Sequence, residues 1–409
     1  MVKPILQVYP TMGGPDEMTE KRPIGRDPEA YQQLLGDLED LVELADDLGY
    51  WGITHVEHHF HSEGLEISPN PSLLNVFLGK ETEQLRMGQL GHVLTARDPI
   101  RLAEDIAMTD HMLEGQYFVG MARGYQSRWM DTLGQPYDVR ETYSDGSEQD
   151  IRNREIFEEN YEIMRGAWEN ETFEYEGKHY QVPKGNPEWP PVETTQDYGA
   201  PGELDEENRV EKVSVVPRPY SDPHPPLFQA FSLSEETMRW CGREGIVPTI
   251  LFGALETVRE LQETHHQEAV DAGFDFEVGQ NTSICRAIHF TDSKEELYEK
   301  IEKYEYPVWE AWYEPFGFTE ALRFPDEEGP VPNREAGESL ADRLIESGLV
   351  IGGTPEEVTE ELQRQLDECP AEYFVWLFHY GIIPKEEAFE DLRIFREEVL
   401  PELDLPYDA

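Results

Sequence analysis

Short apolar runs alternate with amphipathic helical stretches along nearly the whole chain, and that beat restricts it to folds built from repeated βα units. The runs fall at residues 5–9, 52–56, 85–94, 117–122, 227–230, 247–251, 281–290 and 373–378. Helical spacing follows each one, at 28–48, 71–78, 100–112, 152–168, 234–243, 255–273, 293–304 and 384–399, with a further helix opening at Thr354-Pro355. In the first of these, Leu34, Leu38, Leu41, Val42, Ala45 and Leu48 recur at helical intervals and Gly49 ends the stretch. In the third, Leu102, Ile106 and Met112 are the expected buried side. Eight strands, each with its helix, predict an α/β fold of the (β/α)8 TIM-barrel type. An open doubly wound sheet has the same beat, and the count alone does not exclude it. Its dinucleotide-binding form is weakened because no GxGxxG follows a strand.

Two segments interrupt the rhythm, about 184–212 and about 306–340; both are rich in Pro, Gly and acidic residues. They read as insertions on a single domain spanning 1–409, since barrels of this kind run past 250 residues as one unit. Within the second, Trp309, Trp312, Tyr313 and Phe316 are placed to cover a pocket or to form a satellite core.

Charge sets the environment. With 33 basic against 86 acidic side chains the formal charge is −53, while 38% of residues are hydrophobic. That apolar content supports a core, so the acidity belongs on the surface of a folded protein. Such a surface repels itself in dilute buffer and is screened in concentrated salt, where the Debye length is about 3 Å at 1 M. A halophilic cytoplasm is the expected setting. Nucleic acid and anionic membranes, both polyanions, are not expected partners. No run of about 18 apolar residues predicts a membrane helix, and the start of the chain lacks a secretory apolar region. Cys241, Cys285 and Cys369 have no CxxC spacing and read as buried free thiols.

In a barrel, chemistry gathers at the C-terminal ends of the strands. After the second strand stands Glu57-His58-His59-Phe60-His61; the fourth ends in Arg123-Gly124-Tyr125, the fifth in Ser232-Leu233-Ser234 with Thr237 beyond, and the eighth in His379-Tyr380-Gly381. Arg123, between a strand and a glycine, can grip a phosphate bidentately or pair with one of many carboxylates. Ser232, Ser234 and Thr237 surround a helix N-terminus, whose free N–H groups suit a phosphate, although capping alone also explains them. Together they point to a phosphate held between strands four and five. The histidine cluster at 55–61 admits three uses. A neutral imidazole can shuttle protons; His59-x-His61 can contribute two metal ligands; or Glu57 can pin a loop histidine. No further His set or Asp completes a metal site, so no metal ligand is assigned.

These blocks resemble a known family. Glu57-His58-His59-Phe60, LTARDPIRLAED at 94–105, GMARGY at 120–125, PPLFQAFSLSEETMRW at 225–240, GGTPEE at 352–357 and FREEVLP at 395–401 are similar, in order, to bacterial luciferase-like flavin-dependent monooxygenases. With the acidity, the resemblance implies a haloarchaeal member. It implies a TIM barrel that takes reduced FMN from a separate reductase, activates O2 as a flavin C4a-peroxide and oxygenates a small organic substrate. Arg123 and the adjoining Gly124 match the phosphate-binding position, and Ser234 and Thr237, with Ser232 one register away, match the phosphate-contacting hydroxyls. Leu90-Gly91 falls at a bend that packs against the flavin ring, often through a cis peptide. His58 matches the catalytic histidine, with Glu57 and His59 as its neighbours. Ala122 stands where light-emitting members carry a reactive Cys, and Leu233 replaces an acidic residue, so oxygenation rather than light is implied. The family also implies a homodimer packed through early helices, at 37–48 and 100–112. A deazaflavin-dependent hydride-transfer enzyme on the same barrel, a metal-dependent barrel hydrolase using the histidine cluster, and a non-catalytic flavin-binding subunit remain alternatives.

Overall fold

In the computed structural model, which describes residues 2–142, 144–232 and 234–404 (without the side chain of Ser232), the runs become eight parallel strands. They are β1 (Lys3–Val8), β2 (Gly52–His55), β3 (Arg86–Val93), β4 (Tyr117–Ala122), β5 (Leu227–Ser232), β6 (Val247–Ile250), β7 (Ser283–Phe290) and β8 (Tyr373–Phe378). Each pairs with the next in sequence, and β8 pairs with β1 through Lys3↔Tyr373 to Val8↔Phe378, so the sheet closes. Closure decides for the TIM barrel and against the open sheet.

Strands buried on both faces need near-continuous apolar sequence, and YFVWLF in β8 is buried at every position. Trp51, Phe118, Phe228 and Tyr373 plug the N-terminal floor of the barrel, with ring centroids 5.0–5.2 Å apart. Gly88 makes room for that plug: a Cβ there would lie 2.3 Å from Phe118 Cζ. The floor is solid, and the open end of the barrel is therefore the C-terminal one.

Helices pack around the outside: α1 (Pro28–Asp47), α2 (Pro71–Gly79), α3 (Pro99–Met112), α4 (Glu148–Glu169), α5 (Glu235–Glu244), α6 (Leu255–Ala272), α7 (Lys294–Lys300), α8 (Pro355–Glu368) and α9 (Lys385–Ile394). Asp27 caps α1 by accepting from the N–H of Glu29 and Ala30, and Leu34, Leu38, Leu41, Val42 and Ala45 form its buried face. In α8 Thr354 and Glu357 close a reciprocal capping box. The expected burial of Met112 does not hold: it is 54% exposed. At about 100° per residue it sits about 240° round from Ile106, off the buried stripe. All three cysteines are buried and free.

One strand was not expected. Val350–Gly353 pairs with Ala287–Phe290, the outer half of β7, whose inner half pairs with β8. Four residues ending in two glycines carry too little pattern to distinguish a strand from a helix lead-in. Between α4 and β5 lie a small hairpin (Tyr175–Glu176 with Gln181–Val182) and a short helix, Glu193–Tyr198. After α7 the helical path continues through Ile301–Glu305, Tyr306–Val308 and Trp309–Tyr313 before shorter turns at Glu314–Phe316 and Phe318–Leu322. No described helix is long and apolar enough to cross a membrane.

Asp46, near the end of α1, accepts from the N–H groups of Glu83, Gln84 and Leu85 at 2.7, 2.9 and 2.7 Å, and so ties α1 to the start of β3. Because hydrogen bonds to a charged acceptor contribute about 1.5–3 kcal/mol, Asp46→Ala should lower unfolding free energy by about that much. Denaturant titration in molar salt measures it; an unchanged midpoint would contradict this role.

Candidate active site

A cavity of about 380 Å3 opens at the C-terminal ends of the strands. Of the residues singled out from sequence, Glu57, His58, Leu90, Gly91, Arg123, Gly124, Ser234 and Thr237 line it. Arg123 and Ser234, from different strand ends, thus face one space. His59 does not line it, and the Ser232 side chain and Leu233 lie outside the described residues.

Arg123 directly follows β4, with its guanidinium largely buried. Nε donates to Asn153 Oδ1 at 2.9 Å, and Nη2 donates to the Asp150 carbonyl at 2.9 Å and to its carboxylate. Asp150 is held in turn by Thr142 Oγ1 at 2.8 Å and Gly146 N at 3.0 Å. The expected ion pair with a carboxylate is therefore present alongside the cavity-facing position. Nη1 has no hydrogen-bond partner among the described residues. Burial and the nearby Arg154 guanidinium lower the Arg123 pKa, against the opposing effect of Asp150. Arg154 Nη2 reaches Thr237 Oγ1 at 3.5 Å, and Thr237 Oγ1 lies 2.9 Å from Ser234 Oγ. Ser234 caps α5 by accepting from Thr237 N at 3.3 Å. One guanidinium, two hydroxyls and a helix N-terminus line the cavity, with the Arg154 guanidinium against Thr237, and make a donor set suited to a phosphate dianion.

At the same cavity, β3 breaks register between Gln89 and His92, and the Leu90–Gly91 peptide is cis. A Cβ on Gly91 would lie 2.5 Å from Met121 N, so β4 leaves no space for a side chain there. With Val56, Ala230 and Leu251, Leu90 gives this part of the cavity an apolar wall.

His58 lines the same cavity and packs edge-on to Tyr125, 5.4 Å between centroids. Its Nδ1 lies 2.8 Å from Glu66 Oε2, which leaves Nε2 without a protein partner among the described residues. Glu66 is 3% exposed and also accepts from Trp312 Nε1 at 3.0 Å and from the Tyr313 hydroxyl; His61 Nδ1 is 3.6 Å away. Burial pushes the Glu66 carboxyl up, but His58, His61 and Tyr313 outweigh it and hold the pKa at about 2. Burial and the neighbouring His58 lower His61 to about 4.

Glu57 is clamped rather than free. Its carboxylate accepts from Arg97 Nε at 2.8 and 3.0 Å and from Val93 N at 3.1 Å, with His59 Nε2 at 3.2 Å and His92 Nδ1 at 3.3 Å. Despite burial, these partners keep it well below the ordinary carboxylate range. His59 is thus engaged with Glu57 while its ring packs on Trp129, centroids 5.6 Å apart. The His59–His61 pairing weighed for a metal does not converge; His58, His61 and Glu66 do, with ligand atoms within 4.8 Å, but Trp312 and Tyr313 already donate to that carboxylate.

Several contributors escaped the sequence. Arg154 falls inside the helix predicted at 152–168, and its only signal is a cation in the first turn of a helix that follows Arg123. Glu66 carries no motif, because it belongs to an irregular loop and adopts φ +54°. Glu305 is fully buried and receives His289 Nε2 at 2.8 Å and His379 Nε2 at 2.9 Å. His379 stacks on Tyr9, 5.6 Å between centroids, and both line the cavity. Val308, Trp309, Tyr313, Phe316 and Phe318 complete the wall, so the 306–340 segment does cover the pocket.

Fold and site define a barrel protein whose open end combines a phosphate-type grip, an apolar slot and a carboxylate-fixed imidazole. The luciferase-like monooxygenase family model matches residues 21–371, and the chain belongs to that family. It is 22% identical over 385 residues to 3,6-diketocamphane 1,6-monooxygenase of Pseudomonas putida, covering 88% of this chain and 91% of that one. It is 30% identical over 158 residues, 39% of this chain and 40% of the other, to the oxygenase component of flavin-dependent trigonelline monooxygenase from Acinetobacter baylyi. Among solved structures, the oxygenating constituent of the Pseudomonas putida 3,6-diketocamphane monooxygenase, in complex with FMN, superimposes with a TM-score of 0.72 at 20% identity, covering 100% of both chains.

The Glu66 environment makes a pH prediction. Its folded pKa, about 2, lies below the ordinary 4.5. The stability it contributes is present above 4.5 and is lost as pH falls towards 2. Glu66→Gln should therefore be less stable than the wild type at neutral pH, with the gap narrowing between pH 4.5 and 2. Surface charge affects both proteins equally and cancels. A gap independent of pH, measured by thermal unfolding, would contradict the assignment.

Proposed function

We propose that the chain is the oxygenating component of a two-component, FMN-dependent monooxygenase. Bound reduced flavin would supply two electrons to O2, one oxygen atom entering a small organic substrate and the other leaving as water. The observation that carries this reading is the single cavity lined by Arg123, Ser234 and Thr237 and also by His58. Arg123, assisted by Arg154, would hold the phosphate, and the Leu90–Gly91 bend would support the flavin ring. Nδ1–H of His58 donates to Glu66, so Nε2 presents a lone pair that can take a proton and return it. Apolar walls exclude water, which protects a reactive oxygen species from discharge. Glu57 and His59 act through position, by fixing the rim between β2 and β3. The trigonelline relative's description as an oxygenase component supports a separate reductase as the source of reduced flavin; NADH oxidation by the purified chain alone would count against it.

Fluorescence quenching gives the test. Arg123→Met should weaken FMN binding roughly ten- to a hundredfold, the worth of a lost charge-assisted bond. His58→Asn should leave FMN affinity unchanged and lower turnover with supplied reduced flavin by roughly a hundredfold or more. Tighter binding of a deazaflavin than of FMN would move the protein to hydride-transfer chemistry. Unaltered FMN affinity in the Arg123 variant would remove the phosphate assignment.

The family resemblance supports a homodimer packed through the early helices of a single domain with two insertions, and the acidity supports a salt-rich cytoplasm of haloarchaeal type. Leu73 and Phe77 on α2 and Met108 and Met112 on α3 are 70%, 46%, 45% and 54% exposed, which supports an apolar interface on that side. Light scattering should give the dimer mass in molar salt, with Met108→Asp shifting it to monomer. At low salt the −53 charge should unfold the chain, as read by circular dichroism. A monomer in molar salt, or a fold indifferent to salt, would remove the corresponding proposal.

A further inference from the structure

The cavity has a second polar pole that the flavin reading does not use. Glu305, Trp309 and Tyr313 recur every four residues along the helical path that covers the pocket, and so form one stripe. Tyr313 is spent on Glu66, and Glu305 on His289 and His379. Trp309, 2% exposed, lines the cavity, yet its indole N–H has no hydrogen-bond partner among the described residues. His379, also 2% exposed and cavity-lining, gives Nε2 to Glu305, and its Nδ1 has no partner among them. Leaving a buried donor or acceptor unsatisfied costs about 1–3 kcal/mol per group. Two such groups on one cavity wall form a site that lacks its occupant's polar atom.

The surroundings restrict what that occupant is. Tyr9, Val308, Phe318 and Leu377 make the nearby wall aromatic and aliphatic. Among the described lining residues the only Lys or Arg is Arg123, at the phosphate end, while Glu320 adds a negative charge. A substrate carboxylate or phosphate would find no counter-ion beside Trp309.

We propose that Trp309 Nε1–H and His379 Nδ1 bind the organic substrate at one neutral oxygen, a hydroxyl engaging both groups and a ketone carbonyl the indole N–H alone, so that the enzyme accepts compact apolar alcohols and ketones and rejects the corresponding acids. An indole N–H only donates, which requires an acceptor oxygen, and Nδ1 only accepts, so of the two a hydroxyl alone satisfies both. Glu305 is a positioning residue here: by accepting from Nε2–H it fixes the His379 ring and leaves Nδ1 as the free atom. His289 shares the same carboxylate and keeps it from turning. The inference deepens the monooxygenase reading and rests on it for the meaning of the occupant, though not for its binding.

Calorimetric titration at equilibrium, with no turnover, tests the site on both FMN-loaded and flavin-free protein. The probes are cyclohexanone, cyclohexanol, methylcyclohexane and cyclohexanecarboxylate. Ketone and alcohol should bind saturably, the hydrocarbon at least tenfold more weakly, and the acid not at all. Trp309→Phe keeps the ring surface and removes the N–H; it should weaken ketone binding about tenfold, with hydrocarbon and FMN affinities unchanged. His379→Gln provides a second variant, expected to weaken the alcohol more than the hydrocarbon. Equal losses for ketone and hydrocarbon, a Trp309→Phe variant equal to wild type, preferred binding of the acid, or no saturable binding of any probe would each overturn the proposal. Weakened FMN binding in Trp309→Phe would also overturn it, by giving the pole to the cofactor. If FMN fails to bind wild type while the ketone pattern holds, the flavin reading falls and this site stands.

Discussion

A carboxylate keeps its charge inside an apolar barrel mouth only when donors surround it, because burial alone would drive it to take up a proton. Three glutamates at the open end meet that condition in the same way. Glu57, Glu66 and Glu305 are 2%, 3% and 0% exposed, and each is approached by two imidazoles. Arg97 adds a guanidinium to the first, and Trp312 and Tyr313 add an indole and a phenol to the second. Removing one partner from a buried ionic cluster typically costs about 3–5 kcal/mol, so these clusters hold ring orientation firmly. Glu57 locks the rim between β2 and β3. Glu66 sets the tautomer of His58 and fastens the covering helix to the barrel, and Glu305 does the same for His379. The chemistry proposed for the cavity depends on which nitrogen of each ring these carboxylates occupy.

The barrel supplies the rest of the geometry. A solid aromatic floor leaves only the C-terminal end open, and strand order brings the end of β4 beside the start of α5. That neighbourhood combines Arg123 with a helix N-terminus capped by Ser234, and α4 contributes Arg154 from the side. The cavity thus combines Arg123 and a capped helix start with an apolar lining and carboxylate-fixed imidazoles. Such a lining suits a cofactor with an anionic tail and a flat ring, next to a neutral substrate.

What the sequence made legible follows physical range. All eight strands could be read because burial on both faces demands long apolar runs, and the starts of α5 and α8 because Ser234 and Thr354-Pro355 are local helix-opening signals. Arg123 and Ser234 were legible because strand ends followed by glycine or a cap are local signals. Met112 was misplaced by assuming that any apolar residue near helical spacing faces inward, whereas its angle puts it outside. Glu66, Arg154 and Glu305 were not legible. Their partners are 8, 83 and 16 or 74 residues away, and nothing in their own neighbourhoods distinguishes them from the many other charged residues of so acidic a chain. Trp309 was noticed as a potential cover, but the unpaired state of its N–H appears only once the surrounding wall is assembled.

A crystal structure of the protein with FMN, grown in molar salt, tests the central claim most directly. The account predicts the flavin phosphate within hydrogen-bond distance of Arg123 and of the Ser234 and Thr237 hydroxyls, with the ring against Leu90–Gly91 and on the His58 side of the cavity. A phosphate bound elsewhere, or a flavin ring turned away from His58, would contradict it.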